Sequence, residues 1–193
     1  RRSSDLQAIT GAGDHVPQSA PHTAPLSVPR QQTWQDMDLH HEEVVNVFLN
    51  NIGQDPLFWR PQLEYTMDGS VKVYELTCEE ISWETEPGRV YPAMAYNGLV
   101  PGPEIRVTEG DDVRVLVTNN MNESTAVHWH GLLVPNSMDG VPFITQPPIT
   151  PGMTFPYEFH IRNAGTHMYH SHHNAAEQVT RGLMGAFIVD PLD

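Results

Sequence analysis

The chain has 193 residues and a formal charge of -14, from 24 acidic against 10 basic side chains. That balance argues against nucleic acid and anionic membrane surfaces as partners, and no apolar run is long enough to span a bilayer. One cysteine, Cys78, excludes an internal disulfide, whereas 11 histidines outnumber all lysines and arginines together.

Residues 1–35 are rich in Pro, Ser, Ala and Gln and read as a flexible Pro-rich arm. The residues after Arg1-Arg2-Ser3-Ser4 lack the apolar stretch of a signal peptide, so no location is written there. Residues 36–60 read as a helical extension. Met37, His41, Val44, Val45, Phe48 and Ile52 recur at helical spacing, and Gly53 is placed to end the helix. The spacing predicts one short amphipathic helix docked by that face, with one of His40 and His41 packed and the other solvated.

From residue 61 to 193 the pattern changes to short alternating segments separated by Gly, Pro and Asn. Strands are expected over 71–78, 81–85, 89–96, 104–108, 112–119, 125–130, 153–160, 165–170 and 183–189, with turn material at 55–56 and 67–70. Such a series predicts an all-β protein, an antiparallel β-sandwich of the Greek-key kind. In the first strand Lys72, Tyr74, Leu76 and Cys78 share a face, so Cys78 is expected to pack as a small hydrophobe.

Two of these strands end in histidine doublets, His128-Trp129-His130 and His170-Ser171-His172. Residues two apart on a strand face the same way, with Cα atoms ~6.6 Å apart, so each doublet presents two imidazoles on one side. Neutral imidazole suits Cu, Zn, Fe and Ni rather than Mg or Ca. A lone H-x-H is a weak signal, but two in one sandwich form a candidate four-imidazole metal site. His173 would face away from His172 on a continuing strand, and His160 and His167 carry no motif.

The stretches "YNGLVPGPEIRVTEGDDVRVLVTN", "HWHGL", "MDGVPFITQPPI" and "GTHMYHSHHNAAEQVTRGLMGAFIVD" run almost without a gap from Tyr96 to Asp190. They resemble the multicopper oxidases, the group of laccases, ascorbate oxidases and ferroxidases, and in particular the amino-terminal cupredoxin domain of such enzymes. The resemblance implies a cupredoxin-like fold for residues 61–193 carrying half of a trinuclear copper site. By it His128 serves the mononuclear type 2 copper, and His130, His170 and His172 serve the coupled type 3 pair. Asp139, in the "MDG" turn, takes the family's acidic proton-relay role, although an aspartate before glycine is also an ordinary turn residue. The other ligands are implied to come from a carboxy-terminal cupredoxin domain of the same or a neighbouring chain, with O2 reduced to water. A secreted, periplasmic or cell-surface location is implied by the family alone.

The electron-entry type 1 copper needs two histidines and a cysteine thiolate with a weak axial ligand. By comparison with that motif, a cysteine would stand at Ser171, a histidine near Gln178 and a methionine near Met184. Only the methionine is present, so this chain is expected to hold no type 1 copper, to be inactive alone, and to use Met184 for core packing. An open half-site also favours self-association or capture of stray metal. A free-standing copper-binding module without oxidase activity is the alternative; nitrite-reductase-like chemistry and structural zinc are weaker readings. The reducing substrate, whether phenol, Fe(II) or Cu(I), is left open.

Overall fold

The computed structural model describes residues 33–54, 59–86 and 88–192; the arm before residue 33 and the turn at 55–56 lie outside these. Contacts divide the chain into two units, residues 1–50 and 51–193. In the first, α1 (Trp34–Asn51) is 18 residues long and covers most of the stretch of helical spacing that ends at Gly53. It starts at a reciprocal cap: the Thr33 amide donates to Asp36 Oδ2 at 3.0 Å while the Asp36 amide donates to Thr33 Oγ1 at 3.2 Å. Gly53, at φ 72°, lies just past its end. Met37, Val44, Val45 and Phe48 carry exposed side chains, as do both His40 and His41. The packed face expected there is not formed within this unit, because α1 is its one described element.

Among its described residues the second unit has nine strands, a short α-helix and a 3-10 turn at Asn136–Met138: β1 (Tyr65–Asp68), β2 (Val71–Glu86), β3 (Arg89–Tyr96), β4 (Gly102–Thr108), β5 (Asp112–Asn119), β6 (Val127–His130), β7 (Thr154–His160), β8 (Gly165–Ser171), α2 (Ala175–Thr180) and β9 (Met184–Asp190). One sheet runs β1-β2-β5-β7 with β3 paired on β2; the other runs β4-β9-β8-β6. The two short segments expected at 71–78 and 81–85 form one strand, β2. Its first half pairs with β1 and β5 and its second half with β3. Met67 and Asp68 belong to β1 rather than to a turn, and Gly69 at φ 63° makes the reversal into β2.

The sandwich is not purely antiparallel. β2 pairs parallel with β5 and β4 parallel with β9, because intervening strands carry the chain across before each pair meets. Alternation sends Tyr74, Leu76, Cys78, Val113, Val115, Val117 and Tyr157 inward from one sheet, against Ile105, Val107, Trp129, Tyr169 and Phe187 from the other. Each such large side chain contributes ~1.5–3 kcal/mol on burial. Trp129 is at the centre, its ring 5.1 Å from Tyr157 and 5.2 Å from Phe159 of the facing sheet. Cys78 is fully buried as expected, and burial pushes its thiol well above the ordinary range. Among the described residues no helix is long and apolar enough to cross a membrane.

Candidate metal centre

The histidine doublets lie on neighbouring strands of one sheet. β6 and β8 pair antiparallel with His128 opposite His170, Trp129 opposite Tyr169 and Val127 opposite Ser171. Trp129, Tyr169 and Ser171 are buried, so the intervening histidines must point to the outer face. The apolar tryptophan thus anchors the strand whose two imidazoles it presents outward.

The ligating atoms of His128, His130 and His170 all lie within 4.8 Å of one another. His172 lies outside that tightest group but beside it. Its ring centroid is 5.4 Å from that of His128 and 6.3 Å, nearly stacked, from that of His170. All four histidines singled out in the sequence are therefore neighbours. His170 Nδ1 is 2.8 Å from its neighbour's carbonyl, Ser171 O, and His128 Nδ1 is 2.7 Å from Asp139 O. Each contact holds the proton on Nδ1 and leaves the Nε2 lone pair free for a metal. Burial and then the imidazoles of His128, His130 and His172 push the His170 pKa below its ordinary value, against the opposing effect of the Ser171 carbonyl. The neutral, metal-ligating form is thereby favoured.

His130 Nδ1 faces His170 Nε2 at 3.3 Å. One proton can bridge them in the metal-free chain. The same separation, ~3.3 Å, is that of two nitrogens each ~2.0–2.1 Å from one tetrahedral ion. The donor set is all imidazole, which fits copper and zinc and not calcium or magnesium.

The MDG turn is pressed against β6. Gly140 has φ 81°, and a Cβ there would lie 1.8 Å from Val127 O, so only glycine allows the approach. The approach places Asp139 on His128: its carbonyl contacts Nδ1, and its carboxylate Oδ1 is 3.4 Å from the same nitrogen. Asp139 is therefore a turn residue that also touches His128.

Among the described residues of the second unit, three further histidines lie outside that group. His160 Nδ1 is 2.9 Å from Asp112 Oδ1 at the surface. His167 packs under Gly131, and His173 lies with its ring 6.3 Å from Phe143. Met184 is not a core residue. It is half-buried because alternation on β9 turns it outward, and the fully buried residue is Leu183. The sequence reading also missed α2 and the buried contacts that link Thr125, Ser171 and Gln178.

A sequence model of the family described as multicopper oxidase matches residues 77–193. The chain belongs to the multicopper oxidase family. It is similar to copper resistance protein A of Pseudomonas syringae pv. tomato, 43% identical over 103 residues, which cover 53% of this chain and 17% of that protein. It is also similar to laccase-2 of Botryotinia fuckeliana, 42% identical over 125 residues, covering 63% of this chain and 21% of the other. Among solved structures, a multicopper oxidase of Campylobacter jejuni, described as a metallo-oxidase, superposes with a TM-score of 0.63 at 37% identity, over 69% of this chain and 29% of that one.

The fold is therefore that of a multicopper oxidase cupredoxin domain, and multicopper oxidases are copper-binding oxidoreductases. The chain spans about a fifth of the length of the curated relatives it matches. The matched segment contains both doublets and the MDG turn.

Proposed function

We propose that this chain is the part of a multicopper oxidase that supplies His128, His130, His170 and His172 to a trinuclear copper site. The observation that carries the reading is the clustering of three of these ligating nitrogens within 4.8 Å on an outward sheet face. His128 takes the type 2 position, held by the Asp139 carbonyl. His130 and His170, whose nitrogens face each other, and His172 would hold the type 3 pair. Copper bound there supplies the one-electron redox chemistry through which O2 is reduced to water.

The chain's own groups orient ligands and hold protons. Asp139 keeps the His128 Nδ1 proton in place through its carbonyl, and its half-exposed carboxylate is the group positioned to take up and pass protons beside the site. Ser171 O performs the orienting task for His170. The imidazoles stand on an outer face, so a second cupredoxin domain, of the same or a neighbouring chain, completes the shell and excludes water. The type 1 copper belongs to that domain: Ser171 stands where its thiolate would be, and the chain alone does not turn over. Residues 61–193 form the copper domain, 36–60 the helical extension and 1–35 the arm, and the working location is outside the cytoplasm, as secreted, periplasmic or surface protein.

The test is copper uptake by the chain and by its His128→Ala and His170→Ala variants, followed by O2 consumption once the completing domain is present. Copper bound by the wild type and lost in both variants is expected, with turnover only in the completed protein. Undiminished uptake in both variants overturns the assignment. Histidine-dependent copper without O2 consumption by the completed protein would instead identify a binding module.

A further inference from the structure

Beneath the doublets, on the buried side of the sheet, three polar side chains meet that have no part in the copper shell. Thr125, Ser171 and Gln178 are each fully buried. Gln178 Oε1 accepts from Ser171 Oγ at 2.5 Å and from Thr125 Oγ1 at 2.9 Å. Its Nε2 donates to Glu123 Oε1 at 3.0 Å and to Ser124 O at 2.9 Å. Both acceptor and both donor positions of the amide are thus filled, which fixes its orientation.

We propose that Gln178 is a positioning residue for the copper ligands, a buried clamp that sets the separation of the two histidine doublets. Thr125 is three residues before His128, and Ser171 stands between His170 and His172. One side chain on α2 therefore ties the chain leading into β6 to the end of β8. The backbone continues the tie. His172 N donates to Ala126 O at 3.0 Å, Ser171 N to Leu183 O at 3.1 Å and Leu183 N to Gln178 O at 3.0 Å. The His173 amide, 3.3 Å from Ser171 Oγ, extends it past the second doublet.

A pairing of two strands alone would leave this end loose. His128 and His170 are opposite each other in the ladder, but His172 lies beyond the last paired residue, Ser171. Metal affinity depends on such outer contacts, and their loss typically costs ~10–100-fold. A buried amide stripped of partners is also costly, so the four contacts act together rather than singly.

This inference rests on the copper reading above, and its test separates the two. Copper(II) affinity of the full chain is measured by chelator competition for wild type, Gln178→Leu, Thr125→Val and Thr125→Ser. The imidazole NMR shifts of His170 and His172 are recorded on the metal-free proteins, and Val115→Ala, a core truncation remote from the clamp, serves as the stability control. Gln178→Leu and Thr125→Val are expected to weaken copper ~10–100-fold and to move both imidazole signals. Thr125→Ser, which keeps the hydroxyl, is expected to restore wild-type values. Val115→Ala is expected to lower Tm without either change. Should Gln178→Leu not fold, the Thr125 pair decides. Wild-type affinity and imidazole shifts in Thr125→Val overturn the clamp, whereas a wild type that binds no copper overturns the copper reading while the imidazole shifts still decide the positioning.

Discussion

His130 Nδ1 and His170 Nε2 face each other at 3.3 Å across the β6 and β8 ladder. If one ion joins them, His130→Ala and His170→Ala each lose it, and the double variant loses little more. A double-mutant cycle of copper affinity is expected to give a coupling of ~0.5–3 kcal/mol. Additive losses would place the two rings on separate ions.

Gly140 is where the MDG turn meets β6. Gly140→Ala places a Cβ 1.8 Å from Val127 O, in a backbone conformation at φ 81°. Strain and overpacking together are expected to cost ~2–5 kcal/mol, read by urea unfolding, and to release Asp139 from His128. A neutral outcome would mean that the turn is free to move away.

Asp139→Asn separates the carbonyl from the carboxylate. The contact of Asp139 O with His128 Nδ1 is a backbone contact, so folding and copper content should remain. In the completed oxidase, O2 reduction should slow by ~10²-fold or more, with an altered pH profile. Unchanged turnover would reduce Asp139 to a turn residue.

The pH dependence of the metal-free chain follows from His170, whose pKa is lowered by burial and by three neighbouring imidazoles. The unfolded chain then binds the proton more readily than the folded one, so stability rises with pH in that window. It should be fully present above the unfolded value of ~6.5 and decline as pH falls below it. His170→Gln should flatten the slope of Tm between neutral pH and the carboxylate range; an unchanged slope would assign it elsewhere.

Trp129 and His130 are adjacent and differ in everything but position. Trp129 is fully buried among Tyr157, Phe159, Tyr169 and Phe187, while His130 is exposed. Trp129→Ala should cost ~3–5 kcal/mol and His130→Ala within ~0.5 kcal/mol by denaturant titration, with copper lost in the second. Equal destabilisation would contradict the alternation on β6.

The strand pattern was legible because alternation is local. β5 runs over Asp112–Asn119 as its alternating residues predict, with burial alternating along it, whereas β3 spans the expected Arg89–Tyr96 with its first half exposed and its second half buried. β1 escaped notice because its end merges with the Gly69 turn. The six residues of α2 are too few for a helical period to register, and the helix begins at Asn174 in a left-handed conformation, φ 47°. The buried contacts of Thr125 and Gln178 are not legible in the sequence because a single buried polar residue carries no spacing signal; Ser171 and Gln178 stand out there only as the places where the type 1 copper motif would put a cysteine and a histidine.

The sequence by itself determined which residues alternate, where the chain turns, and that two H-x-H doublets each present imidazoles to one side, since these depend on the stereochemistry of neighbouring residues. Only the tertiary structure decided that the doublets are adjacent in one sheet, that Asp139 closes on His128, and that Gln178 joins both strands from beneath. Those are contacts between residues as many as 55 positions apart, as Gln178 and Glu123 are. They exist only because a shared core brings separate strands to the same place.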